Sequence, residues 1–396
     1  RHCRAGISLI LSSFTENQLI GRDVTLRLAR GVSMRVARPL MDPLLRRAAD
    51  ILLALVISVG VCYSHASLAR VGSPALKELI SGNLVWLYDD FQVIGPESLD
   101  ADKCSKLVPP LAFKPPNIEV ACYSFRYQVT DFSPHALLLR NQAKRIGNRR
   151  KLVVYNHGHG GLPNDHEPYA HRFLTELLTH GVDILLVSMP FTGIDVPHTP
   201  VKIKTWDGWA TLDPGLLVEN PAMQHGVFET LDTGRSHYIR IFIDNAVMSV
   251  VALRKSYDDF FYVGLSGGAT VGLYTCSLLT RLVDACFLMS GVMPLSHRLT
   301  VNNLGDAEQH SSGFHNNVST LGLIKDIHGS STSLFLSYNS DDPCCFDGDS
   351  ARHLKNDLDK LGISEILTIR ESAQHDYDAE LLANTIIRWP GKPNRQ

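Results

Sequence analysis

Phe261-Tyr262-Val263-Gly264-Leu265-Ser266-Gly267-Gly268-Ala269-Thr270-Val271-Gly272 is an apolar run that breaks into Gly-x-Ser-x-Gly and continues as a small-residue helical pattern. Such a run of β-branched and aromatic residues reads as a buried strand, and its end in glycine reads as a tight turn into a helix. A serine at that turn needs strained backbone angles. Its neighbours must lack side chains, because the helix packs close against the strand. Gly264 and Gly268 meet the need, and Ser266 is left at the helix start, where developing negative charge is favoured. Ser266 is therefore the candidate nucleophile. The segment lacks the lysine of a phosphate-binding P-loop and does not supply Gly-x-Gly-x-x-Gly, so the nucleotide-cradling readings fail.

The same rhythm extends on both sides of this stretch. Apolar runs at 152–155, 184–187, 260–263, 285–289, 334–338 and 366–369 alternate with helical patterns such as 169–178, 238–253 and 351–361. Strands this apolar are buried on both faces, and the alternation predicts an α/β fold, a mostly parallel sheet with helices on both faces. Residues 192–236 and 294–330 are too long for simple crossovers. They hold Trp206 and Trp209 and several Gly and Pro, and are expected to be cap insertions over the carboxyl edge of the sheet. Residues 70–150, with Pro109-Pro110 and Pro115-Pro116, read as an irregular lead-in carrying one strand at 120–129; the catalytic core is expected over 151–396.

A serine hydroxyl is a weak nucleophile until a base takes its proton, and a third group must hold that base in one tautomer. Later strands supply both in the order acid, then histidine. After 334–338 comes Asn339-Ser340-Asp341-Asp342-Pro343-Cys344-Cys345, and after 366–369 comes Arg370-Glu371-Ser372-Ala373-Gln374-His375. His375 is the expected base. Asp342 is preferred as the acid because a turn with Pro follows it, with Asp341 as the alternative. An earlier strand ends in Asn156-His157-Gly158-His159-Gly160-Gly161, where backbone N–H groups can approach a substrate oxygen, the N–H of Gly267 giving a second donor. His157-x-His159 with His166 and His171 also invites a metal site. No Cys or regularly spaced carboxylate completes a ligand set there, so neither a metal nor a cofactor is expected.

Residues 151–388 resemble the α/β-hydrolase superfamily, most of all its dienelactone-hydrolase and acetyl-esterase-like branches. The matching motifs are His157-Gly158-His159-Gly160-Gly161, Gly264-Leu265-Ser266-Gly267-Gly268, Asp342-Pro343 and His375. The resemblance implies a Ser266, His375, Asp342 triad, an oxyanion hole from the N–H groups of His159 and Gly267, and hydrolysis of small carboxylic esters. The same machinery serves peptidases, thioesterases and acyltransferases, and a non-catalytic ligand-binding member is the rival from another class. The chain departs from the common pattern in having Asn339-Ser340 before the Asp pair and vicinal Cys344-Cys345.

Composition sets the frame. The chain of 396 residues is 44% hydrophobic and 20% charged with a net charge of −2, which suits a globular protein and gives no global field to draw nucleic acid. Residues 1–40 form an Arg-rich presequence expected to be unstructured. Residues 41–69 join Arg46-Arg47 to an apolar run from Ile51, ending at Ser64-His65-Ala66. That pattern predicts a signal peptide or, over 51–69, a membrane anchor, with the remainder secreted, periplasmic or held outside the cytoplasm; a buried core helix is the alternative. In an oxidising compartment Cys104 and Cys122 can pair, whereas Cys276 and Cys286 read as small core residues.

Overall fold

The computed structural model describes 24–27, 33–36 and, from Leu76 to Gly391, the chain apart from 77–78, 89–92, 101–103, 105–117, 128–131, 142–148, 162–166, 193–194, 198, 206–207, 214–224, 226–227, 229–237, 301–304 and 345. Residues 1–67 and 68–396 are two separate units. In the first, β1 (Val24–Arg27) pairs antiparallel with β2 (Ser33–Val36), Val24 opposite Val36. This departs from the expectation of no structure before Met41. Val24-Thr25-Leu26-Arg27 and Ser33-Met34-Arg35-Val36 carry a strand-like alternation that the arginine content masks. Trp206 and the signal or anchor segment 41–69 lie outside the described residues, among which no helix is long and apolar enough to cross a membrane.

The second unit is built on a nine-stranded sheet. Its strands are β3 (Val93–Ser98), β4 (Ile118–Tyr127), β5 (His135–Asn141), β6 (Lys151–Asn156), β7 (Asp183–Val187), β10 (Asp259–Leu265), β11 (Ala285–Met289), β12 (Ser333–Asn339) and β13 (Leu367–Arg370). A separate hairpin, β8 (Val201–Thr205) and β9 (Gly208–Leu212), lies in the first insert. The order across the sheet is β13-β12-β11-β10-β6-β7-β5-β4-β3. The six strands from β13 to β7 are parallel, and antiparallel pairing begins at β5.

The mostly parallel expectation holds, but the lead-in is more regular than expected. Residues 93–141 supply three antiparallel strands. The run Ala136 to Leu139 is fully buried in β5 and is as apolar as the core strands, yet it is short and follows a proline.

Side-chain alternation along the central strands divides the core in two. Leu152, Val154, Phe260, Tyr262, Cys286 and Leu288 face one layer, formed by α2 (Ile239–Leu253), α3 (Gly267–Leu278), α7 (Thr320–His328) and α8 (Gly348–Leu361). Val153, Tyr155, Phe261, Val263 and Phe287 face the other, formed by α1 (Pro168–Thr179) and α9 (Ala379–Ile387). Each such side chain gains about 1.5–3 kcal/mol from burial, so these strands are held centrally by both faces at once. The second insert carries the short helices α4 (Leu295–Thr300), α5 (Ala307–His310) and α6 (Ser312–His315). Its last part, α7, packs on the sheet and belongs to the core layer instead of a cap.

Cys104 and Cys122 form a disulfide with Cα atoms 5.4 Å apart. Cys276 and Cys286 form a second, at 6.6 Å, which corrects their reading as simple core residues. Helix α3 lies against β11, the strand that follows it, and this brings two apolar-context cysteines face to face.

Candidate active site

The carboxyl edge of the parallel strands collects the expected residues. Ser266 follows β10 at φ 55° and ψ −129°, one of three non-glycine residues with positive φ among the described residues. That geometry costs energy, and packing enforces it. The Ser266 N–H donates to Met289 O at 2.9 Å. A Cβ on Gly264 would lie 2.4 Å from Gly268 O, and one on Gly268 would lie 2.2 Å from Asn156 O. Gly291, which the sequence reading did not single out, presses on the same turn: a Cβ there would come within 1.9 Å of Ser266 O.

His375 follows β13 and Asp342 follows β12. The His375 Nδ1–H donates to the Asp342 carboxylate, with distances of 3.0 and 2.8 Å to its two oxygens. The Asp342 side chain is fully buried and accepts a further bond from the Cys344 N–H at 2.9 Å. Asp341 faces elsewhere, bonding to the Ser340 hydroxyl at 2.6 Å. With Nδ1 committed to Asp342, Nε2 is the ring nitrogen of His375 left to exchange a proton with a nucleophile.

Asn339 carries weight that sequence reading missed. Its buried amide donates to the carbonyls of Gln374 (2.6 Å) and Asp376 (2.9 Å), the residues on either side of His375. Arg370 Nε in turn donates to Asn339 Oδ1 at 2.9 Å. The only sequence signal was that Asn339 stands in the departure from the common motif.

The loop after β6 packs on the serine turn. Gly158 has φ 80°, and a Cβ there would lie 2.7 Å from Leu265 O and 3.0–3.1 Å from the nitrogens of Gly268 and Gly267. As first residue of α3, Gly267 has an N–H that its own helix cannot satisfy. His159 sits in the short turn Gly158–Gly160 beside it. His157 is buried, its Nε2 2.9 Å from the Tyr169 hydroxyl. Burial, and then the nearby charge of His375, push its pKa down to about 4, so it is neutral at pH 7.

A mostly parallel sheet with helices on both faces, a strained serine between strand and helix, and acid and histidine after later strands together decide the architecture. The fold is that of the α/β hydrolases. No family model and no curated relative matches the sequence.

Among solved structures, this α/β-hydrolase fold is similar to an acylaminoacyl peptidase of Pyrococcus horikoshii, with TM-score 0.46 and 14% identity over 71% of this chain and 43% of that one. It is also similar to acetyl xylan esterase 1 of Thermoanaerobacterium sp. JW/SL YS485, with TM-score 0.42, 11% identity and coverages of 80% and 91%. The acetyl xylan esterase of Paenibacillus sp. R4 gives 0.40, 13%, 79% and 91%. The chain spans less than half the length of the peptidase.

The two inserts contribute side chains beside the serine turn. His225 of the first and Asp306 and Glu308 of the second meet the His159 side chain. Of the histidines considered with His157 and His159, His166 lies outside the described residues and His171 stands on α1. A reading based on spacing could not find His225, Asp306 and Glu308, which are 66 to 149 positions from His159. Burial works to raise the Glu308 carboxyl, but its interaction with the His225 and His159 imidazoles outweighs it and holds the pKa below the usual carboxylate range.

Proposed function

We propose that the protein is a serine hydrolase that cleaves small carboxylic or related acyl esters through an acyl-enzyme on Ser266. The observation that carries this reading is the buried Asp342 carboxylate hydrogen-bonded to His375, on the same sheet edge as a serine held at φ 55°. In the forward step His375 Nε2 takes the Ser266 proton as Oγ attacks the carbonyl carbon, and Asp342 stabilises the imidazolium. The N–H groups of Gly267 and His159 receive the charge of the tetrahedral oxygen, each worth about 10²-fold or more in rate. His375 then protonates the leaving alcohol, and water repeats the sequence to release the acid.

A fluorophosphonate probe should label the wild-type chain and leave Ser266→Ala unlabelled, while p-nitrophenyl ester turnover falls by up to about 10⁶. A folded Ser266→Ala protein that keeps more than a few per cent of the turnover removes Ser266 from the role.

The reading extends to location, with the catalytic unit working outside the cytoplasm, either exported or held at a membrane by 51–69. The two disulfides support this, since such bonds persist in oxidising compartments. A reporter active only outside the cytoplasm, fused after residue 70, should give signal; silence would count against export.

A further inference from the structure

Four side chains that the proposed acyl transfer leaves unused converge beside the first turn of α3. His159, His225, Asp306 and Glu308 each bring one ligand-capable atom within 4.8 Å of all the others. His159 Nε2 lies 2.5 Å from Asp306 Oδ2, 3.0 Å from His225 Nδ1 and 3.4 Å from Glu308 Oε1. His225 Nδ1 lies 3.0 Å from Glu308 Oε2. The cluster touches the serine turn: a Cβ on Gly267 would meet His159 Cε1 at 2.8 Å and Glu308 Oε1 at 3.0 Å.

The arrangement asks for something between these atoms. His225 Nε2 is 2.9 Å from the carbonyl of Pro190, which can only accept, so Nε2 carries the proton. In the neutral ring Nδ1 is then a lone pair, and it faces a carboxylate oxygen and another imidazole nitrogen. An imidazole fixed by N–H···O=C on one side and presenting its other nitrogen is the stance of a metal-ligating histidine. Glu308 is fully buried, and its Oε1 faces the same point while accepting no hydrogen bond. Nitrogen and oxygen ligands about 2.0–2.2 Å from a tetrahedral zinc ion sit roughly 3.4 Å from one another, close to the separations found here. Two carboxylates also balance the charge of one divalent cation. Two imidazoles argue against calcium or magnesium, which take oxygen ligands.

We propose that His159, His225, Asp306 and Glu308 bind a divalent transition-metal cation of the zinc class in an N2O2 site. Four protein ligands close the shell, which makes the ion a positioning element and not a source of hydroxide. It ties both inserts to the loop that carries the His159 N–H. It also cancels two anionic charges that would otherwise repel an oxyanion forming at Gly267. This last consequence rests on the hydrolase reading; the binding itself does not.

The test uses the full chain purified without a polyhistidine tag, stripped with a chelator and titrated with Co²⁺ and then Zn²⁺. One cation per chain is expected, with the visible d–d bands of four-coordinate Co²⁺, their loss on adding Zn²⁺, and a higher Tm in the loaded protein. Glu308→Gln and His225→Gln should each weaken binding by at least about 10–100-fold. Because those positions are buried, Asp306→Asn, at a side chain 19% exposed, provides a second variant with the same expected direction.

Folded wild-type protein that takes up neither ion, or variants that bind as tightly as wild type, would overturn the proposal. In the first case the cluster is a His225 imidazolium paired with Glu308. Fluorophosphonate labelling of the same samples reports separately on Ser266. Protein that binds Co²⁺ but is not labelled keeps the cation site and loses the hydrolase reading.

Discussion

Asp341 and Asp342 are adjacent in one turn, and extended neighbours point in opposite directions, so only one of them can serve His375. Asp342 is the one within 2.8 Å of Nδ1. Asp342→Asn should keep the shape but favour the wrong imidazole tautomer, lowering ester turnover by up to about 10⁴. Asp341→Asn should cost little, since an exposed turn carboxylate rarely matters by more than about 0.5 kcal/mol. Turnover measured for the two variants side by side decides it, and the reverse order of losses would transfer the role to Asp341. Ser266, His375 and the two aspartates could be picked out as candidates because each lies in the turn that follows an apolar run. Asn339 was not, because an amide that clamps two carbonyls from another loop looks in sequence like any polar turn residue. His225, Asp306 and Glu308 were hidden for the same reason, since long connections bring them together and no spacing records it.

Among the elements, the turn between β10 and α3 is the most constrained. A Cβ on Gly268 would lie 2.2 Å from the backbone oxygen of Asn156, at the end of β6, so the added methyl has no flexible neighbour to push aside. Gly268→Ala is therefore expected to destabilise by about 1–3 kcal/mol and to depress ester turnover, because the β6 loop must move with it. Gly322→Ala, in α7, meets only the Ser319 side chain, 3.3 Å away at its nearest, and should stay within about 1 kcal/mol of wild type. Urea unfolding of both proteins tests the contrast, and equal stabilities would refute the packing argument. The central strands β6, β7, β10 and β11 could be read to within a residue or two because burial on both faces leaves a continuous apolar signature. Nearer the sheet edge, β13 starts one residue later than its apolar run, because Ile366 belongs to the short 3-10 turn Ser364–Ile366. Of the antiparallel strands of 93–141, β4 was legible as the run at 120–129, whereas β3, interrupted by Pro96, and the short β5 were not.

At the scale of the whole molecule, the buried His157 links stability to pH. Its pKa of about 4 in the folded protein lies below the 6.5 of an exposed histidine, so the folded state binds fewer protons. The stabilisation is complete above pH 6.5 and is lost as pH falls from there toward 4, by up to about 3 kcal/mol. Urea unfolding at pH 7, 5.5 and 4 should reveal this slope, and His157→Gln should flatten it. Parallel curves for the two proteins would show that other groups carry the effect. The strand order has a kinetic consequence as well. The central seam of the sheet pairs β6 with β10, Lys151 lying opposite Asp259, 108 positions later. A chain emerging from the ribosome cannot close that seam until β10 has been made. Until then β6 and β7 expose apolar faces, and the edge of β6 that β10 will cover stays open. Long-range parallel pairing of this kind is slow, and the waiting half-sheet is a natural client for chaperones and a site where aggregation begins.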